Sequence, residues 1–93
     1  MARQSSDNEI DLHGVTIYDG VRIALEKTEQ WWADLGPGRI TRAKSEPLVI
    51  ITGAGRHNTN GVSRLRQSVG AALKRDGWKY VVEEGRFIVK GKL

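Results

Sequence analysis

The sequence predicts an α/β domain in which helices pack on a small mixed sheet, in two layers or three, and three observations predict it. Short apolar stretches of strand character alternate with two amphipathic segments of helical period. The first strand–helix–strand passage requires a crossover, which is right-handed and leaves its two strands parallel. The chain closes on two short strands flanking Glu83-Glu84-Gly85, an antiparallel hairpin. At 93 residues the chain is long enough for one compact core and too short for two. Residues 9–93 are therefore expected to form a single domain. Residues 1–8 are expected to be a flexible tail, because Gln4, Ser5, Ser6, Asp7 and Asn8 offer nothing to bury.

Taken in order, Glu9 to His13 alternates, with Ile10 and Leu12 toward one side and Asp11 and His13 toward the other, the period of a half-buried strand. Gly14 ends it. Thr16 to Leu35 is the clearest helix. At ~100° per residue, Ile17, Val21, Ala24, Leu25, Thr28, Trp31, Trp32 and Leu35 fall within about a 120° arc. Thr16 supplies the N-cap, Asp19 places a carboxylate in the first turn where the helix dipole favours it, and Gly36-Pro37-Gly38 stops the helix. Trp31 and Trp32 read as core rather than as base-stacking rings, because both lie in the apolar arc. Ile23 lies off that arc, either as a stray exposed residue or as part of a contact surface.

Arg39 to Glu46 reads as a basic connector ending at Pro47. Leu48-Val49-Ile50-Ile51 is a continuous apolar run, the pattern of a strand covered on both faces. A polar stretch from Thr52 to Gly61 leads into a second helix, Val62 to Arg75, which buries Val62, Leu65, Val69, Ala72 and Leu73 and is ended by Asp76-Gly77. Trp78 to Val82 and Arg86 to Lys90 are the strands of the hairpin.

Several classes of function fall away on composition. There is no cysteine, which excludes a disulfide scaffold, a zinc–thiolate site and a thiol nucleophile together. No apolar run approaches the roughly 18 residues of a membrane span, and the polar start of the chain contains no secretion signal. The expected compartment is the cytoplasm, with the nucleus as the alternative. The formal charge is +4, unevenly spread: Arg39 to Arg75 carries eight basic residues against Glu46 alone, net +7, and the remainder is net −3. Such asymmetry favours a polyanionic partner, nucleic acid being the commonest; on charge alone, a solvated basic face explains it equally well.

Parallel strands bring their C-terminal ends to one edge of a sheet, where open α/β folds bind ligands. That edge would carry Asp11, His13 and Gly14 from the first strand and Thr52-Gly53-Ala54-Gly55 from the second. The glycines let backbone amides approach an anion, although many strand-to-helix turns need glycine only for its positive φ. The loop is not a P-loop, since no Gly-Lys-Ser/Thr follows, and the dinucleotide fingerprint fails because about ten polar residues precede the helix. Asp11 and His13, roughly 7 Å apart along an extended backbone, could exchange a proton with a substrate and orient one another, or could be merely structural. His57 as a metal ligand would find only Asp11 and His13 as partners, so no dedicated metal cage is expected. Arg64, in the first turn of the second helix and opposite its apolar stripe, is placed to reach an anion at the glycine loop; Arg66 lies nearer the stripe and snorkels.

These residues resemble a known family. Ile10-Asp11-Leu12-His13-Gly14 resembles the Leu-Asp-x-His-Gly motif that opens Smr (small MutS-related) domains, and Thr52-Gly53-Ala54-Gly55 is similar to their Thr/His-Gly-x-Gly motif. Gly61 to Leu65 and Arg86 to Val89 resemble the second helix and final strand of that family, so the likeness covers about Ile10 to Lys92. The Trp-Trp helix end and the long insertion before the second strand resemble eukaryotic, fungal members. The resemblance implies a two-layer α/β sandwich of order β-α-β-α-β-β with a four-stranded mixed sheet, similar to the C-terminal domain of bacterial translation initiation factor three.

The resemblance also implies a nucleic-acid endonuclease with Asp11 and His13 as catalytic residues. Thr52, Gly53, Gly55, Arg56, His57 and Arg64 would then bind phosphate and nucleic acid. RNA, including RNA on stalled ribosomes, is expected over DNA, because the ribose 2′-hydroxyl supplies a nucleophile with no metal. No cofactor is expected with RNA, and Mg²⁺ only if DNA is cut. The rival readings are a non-catalytic module binding nucleic acid or the ribosome, and a DNA-nicking nuclease. No membrane partner is expected; the sequence leaves the oligomeric state open, with a monomer favoured.

Overall fold

The computed structural model describes residues 8–53 and 60–93, with side chains in the second segment from Arg64 onward. The elements run β1 (Glu9–Asp11), α1 (Ile17–Leu35), α2 (Arg39–Ser45), β2 (Leu48–Ile51), α3 (Asn60–Arg75), β3 (Trp78–Glu83) and β4 (Arg86–Lys92). They form one four-stranded sheet of order β1-β2-β4-β3, parallel between β1 and β2 and antiparallel elsewhere. This is the mixed α/β sheet expected. Residues 1–7 of the expected tail lie outside the described residues.

Alternation along the strands divides the sheet into two faces. Leu48 and Ile50 of β2 and Phe87 and Val89 of β4 are buried with Ala24, Trp31 and Leu35 of α1 and Leu65, Val69 and Leu73 of α3. The two long helices approach closely at Gly20, where a Cβ would run into the Leu65 side chain. The alternate positions, Val49, Ile51 and Ile88, are only half-buried, and Val81 is exposed. The expectation that β2 is covered on both faces is therefore corrected. Its uninterrupted apolar run reflects its central place in the sheet between β1 and β4, not a second helical layer. Ile23 is neither stray nor exposed, being half-buried against the core.

Helix α1 begins and ends as its sequence dictates: the Thr16 hydroxyl accepts from the Asp19 amide at 3.1 Å, and Gly36 closes it at φ 64°. The basic connector is corrected: Arg39–Ser45 is a helix, α2, entered through Gly38 in the left-handed region. Its seven residues are mostly helix formers, and tertiary contacts hold them. Ala43 is buried in the core, Arg42 donates to the Leu35 carbonyl at 2.9 Å, and the Trp31 indole donates to the Glu46 carbonyl at 2.9 Å.

Trp31, Trp32 and Trp78 cluster where α1 and the start of β3 meet, with ring centroids 5.8–6.5 Å apart. Arg39 lies 4.9 Å over the Trp32 ring and Lys92 lies 4.6 Å over Trp78 while reaching Glu29 at 3.7 Å. Packing, not base stacking, accounts for the paired tryptophans.

Candidate active site

The first strand ends at Asp11, two residues sooner than the alternation implies, because Gly14 adopts φ 90° and lets the chain turn early. Asp11 pairs with Ile51 of β2, and the Leu12 amide still donates to the Ile51 carbonyl at 2.7 Å before the chain leaves the sheet. Leu12 is buried and anchors the turn, while Asp11 and His13 are exposed. The two do not share a strand face, as alternation would have it; the turn itself brings them together. Asp11 Oδ1 accepts from the His13 amide at 3.0 Å and lies 3.5 Å from its Nδ1. One carboxylate oxygen thus both closes the turn and faces the near side of the imidazole, leaving Nε2 as the nitrogen available to another molecule.

The parallel register puts the end of β2 beside this turn, and Gly53 there has φ 94°. The amides of Thr52 and Gly53 both donate to the Gly85 carbonyl, at 2.9 and 3.1 Å, in the turn between β3 and β4. These two donors are therefore engaged, and the anion cradle expected to begin at Thr52 cannot use them. Thr52 is also buried, and its Oγ1 finds no partner among the described residues. Gly55, Arg56 and His57 lie outside the described residues. Arg64 is exposed on α3, in the turn following the helix start at Asn60.

Around this edge lies an open hollow of about 480 Å³ lined by Ile51, Gly53, Glu83, Glu84, Gly85 and Arg86. The hairpin turn thus joins the end of β2 in lining this hollow, a neighbourhood that sequence reasoning missed, while Asp11 and His13 are not among the lining residues. The signal for it was the opposite charges of Glu83 and Arg86 on either side of a two-residue turn. Among the described residues no group of three His, Cys, Asp or Glu side chains is placed to hold a metal ion. No helix among them is long and apolar enough to cross a membrane.

Fold and site together define a two-layer α/β domain with its polar residues gathered at the C-terminal ends of its parallel strands. No family model matches the chain. It is 32% identical over 94 residues to an Smr domain-containing protein of Schizosaccharomyces pombe, a match spanning 98% of this chain and 18% of that protein. A second Smr domain-containing protein of that organism is 33% identical over 92% of this chain and 38% of its own length. A Saccharomyces cerevisiae protein named Endonuclease NBR9 is 33% identical over 87% of this chain and 30% of its own. Among solved structures, the solution structure of the SMR domain of NEDD4-binding protein 2 superposes with a TM-score of 0.61 at 26% identity, covering 100% of this chain and 94% of that one. The chain belongs to the Smr domain family, as its two motifs implied. It spans between 18% and 38% of the length of these curated relatives.

Proposed function

We propose that this Smr domain is an endonuclease that cleaves RNA through the Asp11–His13 pair. The observation that carries the reading is the carboxylate oxygen 3.5 Å from His13 Nδ1, at a strand end bordered by glycine turns and open to solvent. The Saccharomyces cerevisiae relative named as an endonuclease supports it. The His13 and Asp11 side chains are 74% and 60% exposed, which leaves an open edge along which a polymer can lie.

In the reaction, His13 Nε2 takes the proton of a ribose 2′-hydroxyl, and Asp11 orients the ring and compensates the imidazolium that forms. The 2′-oxygen attacks the adjacent phosphorus and the bond from phosphorus to the 5′-oxygen breaks. The 5′-oxygen leaves with a proton from solvent, giving a 2′,3′-cyclic phosphate and a 5′-hydroxyl. Charge gathering on the phosphoryl oxygens would be met by the Arg64 guanidinium, together with Arg56 and His57, which follow the glycine motif in the sequence. The nucleophile is already tethered to the phosphate, so no cofactor is required. On DNA a water would have to attack instead, and Mg²⁺ would be called for. Cytoplasmic RNA, including RNA held on stalled ribosomes, is the substrate this reading favours.

The test is incubation of the domain with an RNA and its all-deoxy copy in EDTA. The expected result is cleaved RNA with 2′,3′-cyclic ends beside an intact deoxy copy. Equal loss of both strands, or no RNA cleavage once metal is chelated, would overturn the metal-free mechanism. The same exposure of the dyad favours one other reading, a module that binds nucleic acid without turnover. That reading predicts wild-type affinity for RNA with no cleavage in any buffer.

A further inference from the structure

The residues Asp11, Ile51, Arg86 and Glu83 form one continuous row of paired positions across all four strands. Directly paired residues project from the same face of a sheet. The Asp11 carboxylate and the Arg86 guanidinium therefore stand on the same outer face, two strand spacings or roughly 10 Å apart at the backbone. Between them lies half-buried Ile51, low and uncharged, with Val49 and Ile88 extending the same apolar floor one row down. The hollow of about 480 Å³ opens at the Arg86 end of this row.

Arg86 is held in an informative way. Its Nε donates to Glu83 Oε1 at 2.8 Å, across the hairpin. A carboxylate on Nε fixes the plane of the guanidinium and leaves the two terminal amino groups as a fork, the geometry that grips a phosphate bidentately. Both side chains are close to half-exposed, so the pair contributes little to stability, and a preset orientation is the more informative consequence of the contact. Arg64 belongs to the helix layer and Arg86 to the sheet layer, so the two are carried by different faces of the domain.

We propose that Arg86, oriented by Glu83, binds a second phosphate of the nucleic-acid strand, next to the one at Asp11 and His13. The strand then runs along the upper row of the outer face, from β1 toward the hairpin. The proposal rests on the nucleic-acid reading of the strand-end site. It makes Arg86 a substrate-binding residue, with Glu83 as its positioning residue.

The experiment measures affinity against salt for a 2′-O-methyl RNA, which binds but offers no 2′-hydroxyl to react, using wild type, Arg86→Ala, Arg86→Lys and Lys79→Ala. Arg86→Ala is expected to weaken binding about fivefold to tenfold and to flatten the salt slope by about 0.7 to 0.9, one phosphate contact. Arg86→Lys keeps the slope, as a point charge should, and recovers only part of the affinity. Lys79→Ala removes the same charge from the far end of β3 and leaves affinity within about twofold. On cleavable RNA, Arg86→Ala raises KM while kcat stays within about threefold, as loss of ground-state binding requires.

A wild-type slope and affinity in Arg86→Ala overturn the proposal, as does Lys79→Ala matching its loss. Because the probe cannot be cleaved, a wild-type domain that binds but never cleaves discards the nuclease reading and leaves the Arg86 result to stand by itself. A wild-type domain with no affinity for the probe would overturn both.

Discussion

At one end of the sheet Trp31, Trp32 and Trp78 pack ring against ring, with Arg39 and Lys92 laid over them and α2 closing the side. At the other, the chain turns at Gly14, Gly53 and Gly85, each with positive φ, and Asp11, His13, Glu83 and Arg86 stand in solvent. The first end buries large rings and few polar groups. The second end is held by backbone hydrogen bonds, chiefly the Gly85 carbonyl receiving the amides of Thr52 and Gly53. The contrast teaches that the large buried rings and the proposed chemistry occupy opposite ends of one small sheet, so each should be alterable with little cost to the other.

The separation is most severely tested at the tryptophan end. Trp78→Ala removes a fully buried indole and is expected to cost about 3–5 kcal/mol, a large part of a small domain's stability, read as a fall in the urea midpoint. Below its transition the variant should cleave RNA at the wild-type rate. A variant that stays well folded but cleaves poorly would break the separation. A smaller effect sharpens the comparison from the other side: Thr16→Ala deletes the N-cap of α1, five residues beyond Asp11, and should cost about 1 kcal/mol while sparing cleavage. Loss of activity there would mean that the helix start, and not only the turn, positions His13.

Much of this was legible in the sequence. The 3.6-residue period located α1 and α3, alternation located β1, and Thr16 and Gly36 marked the ends of the first helix. The parallel pairing of β1 with β2 followed from the crossover, and with it the meeting of Asp11 with the end of the second strand. Helix α2 was not legible, because two turns are too few to show a period and its one buried apolar residue, Ala43, sits beside an Ile40 that faces solvent. The part played by the hairpin was hidden for a different reason. It depends on β4 inserting between β2 and β3, a neighbourhood in space that chain order does not announce. Only that insertion sets Arg86 opposite Ile51 and brings the Gly85 carbonyl to Thr52 and Gly53.

The central claim is that the Asp11–His13 turn performs the cleavage. It is tested most directly by single-turnover cutting of RNA with Asp11→Asn, which keeps an acceptor for the His13 amide, and with His13→Ala. The account predicts a fall of about 100-fold or more in rate for each, with 2′-O-methyl RNA affinity within about threefold and an unchanged urea midpoint. Wild-type cleavage by the double variant would contradict it and place the chemistry elsewhere on the domain.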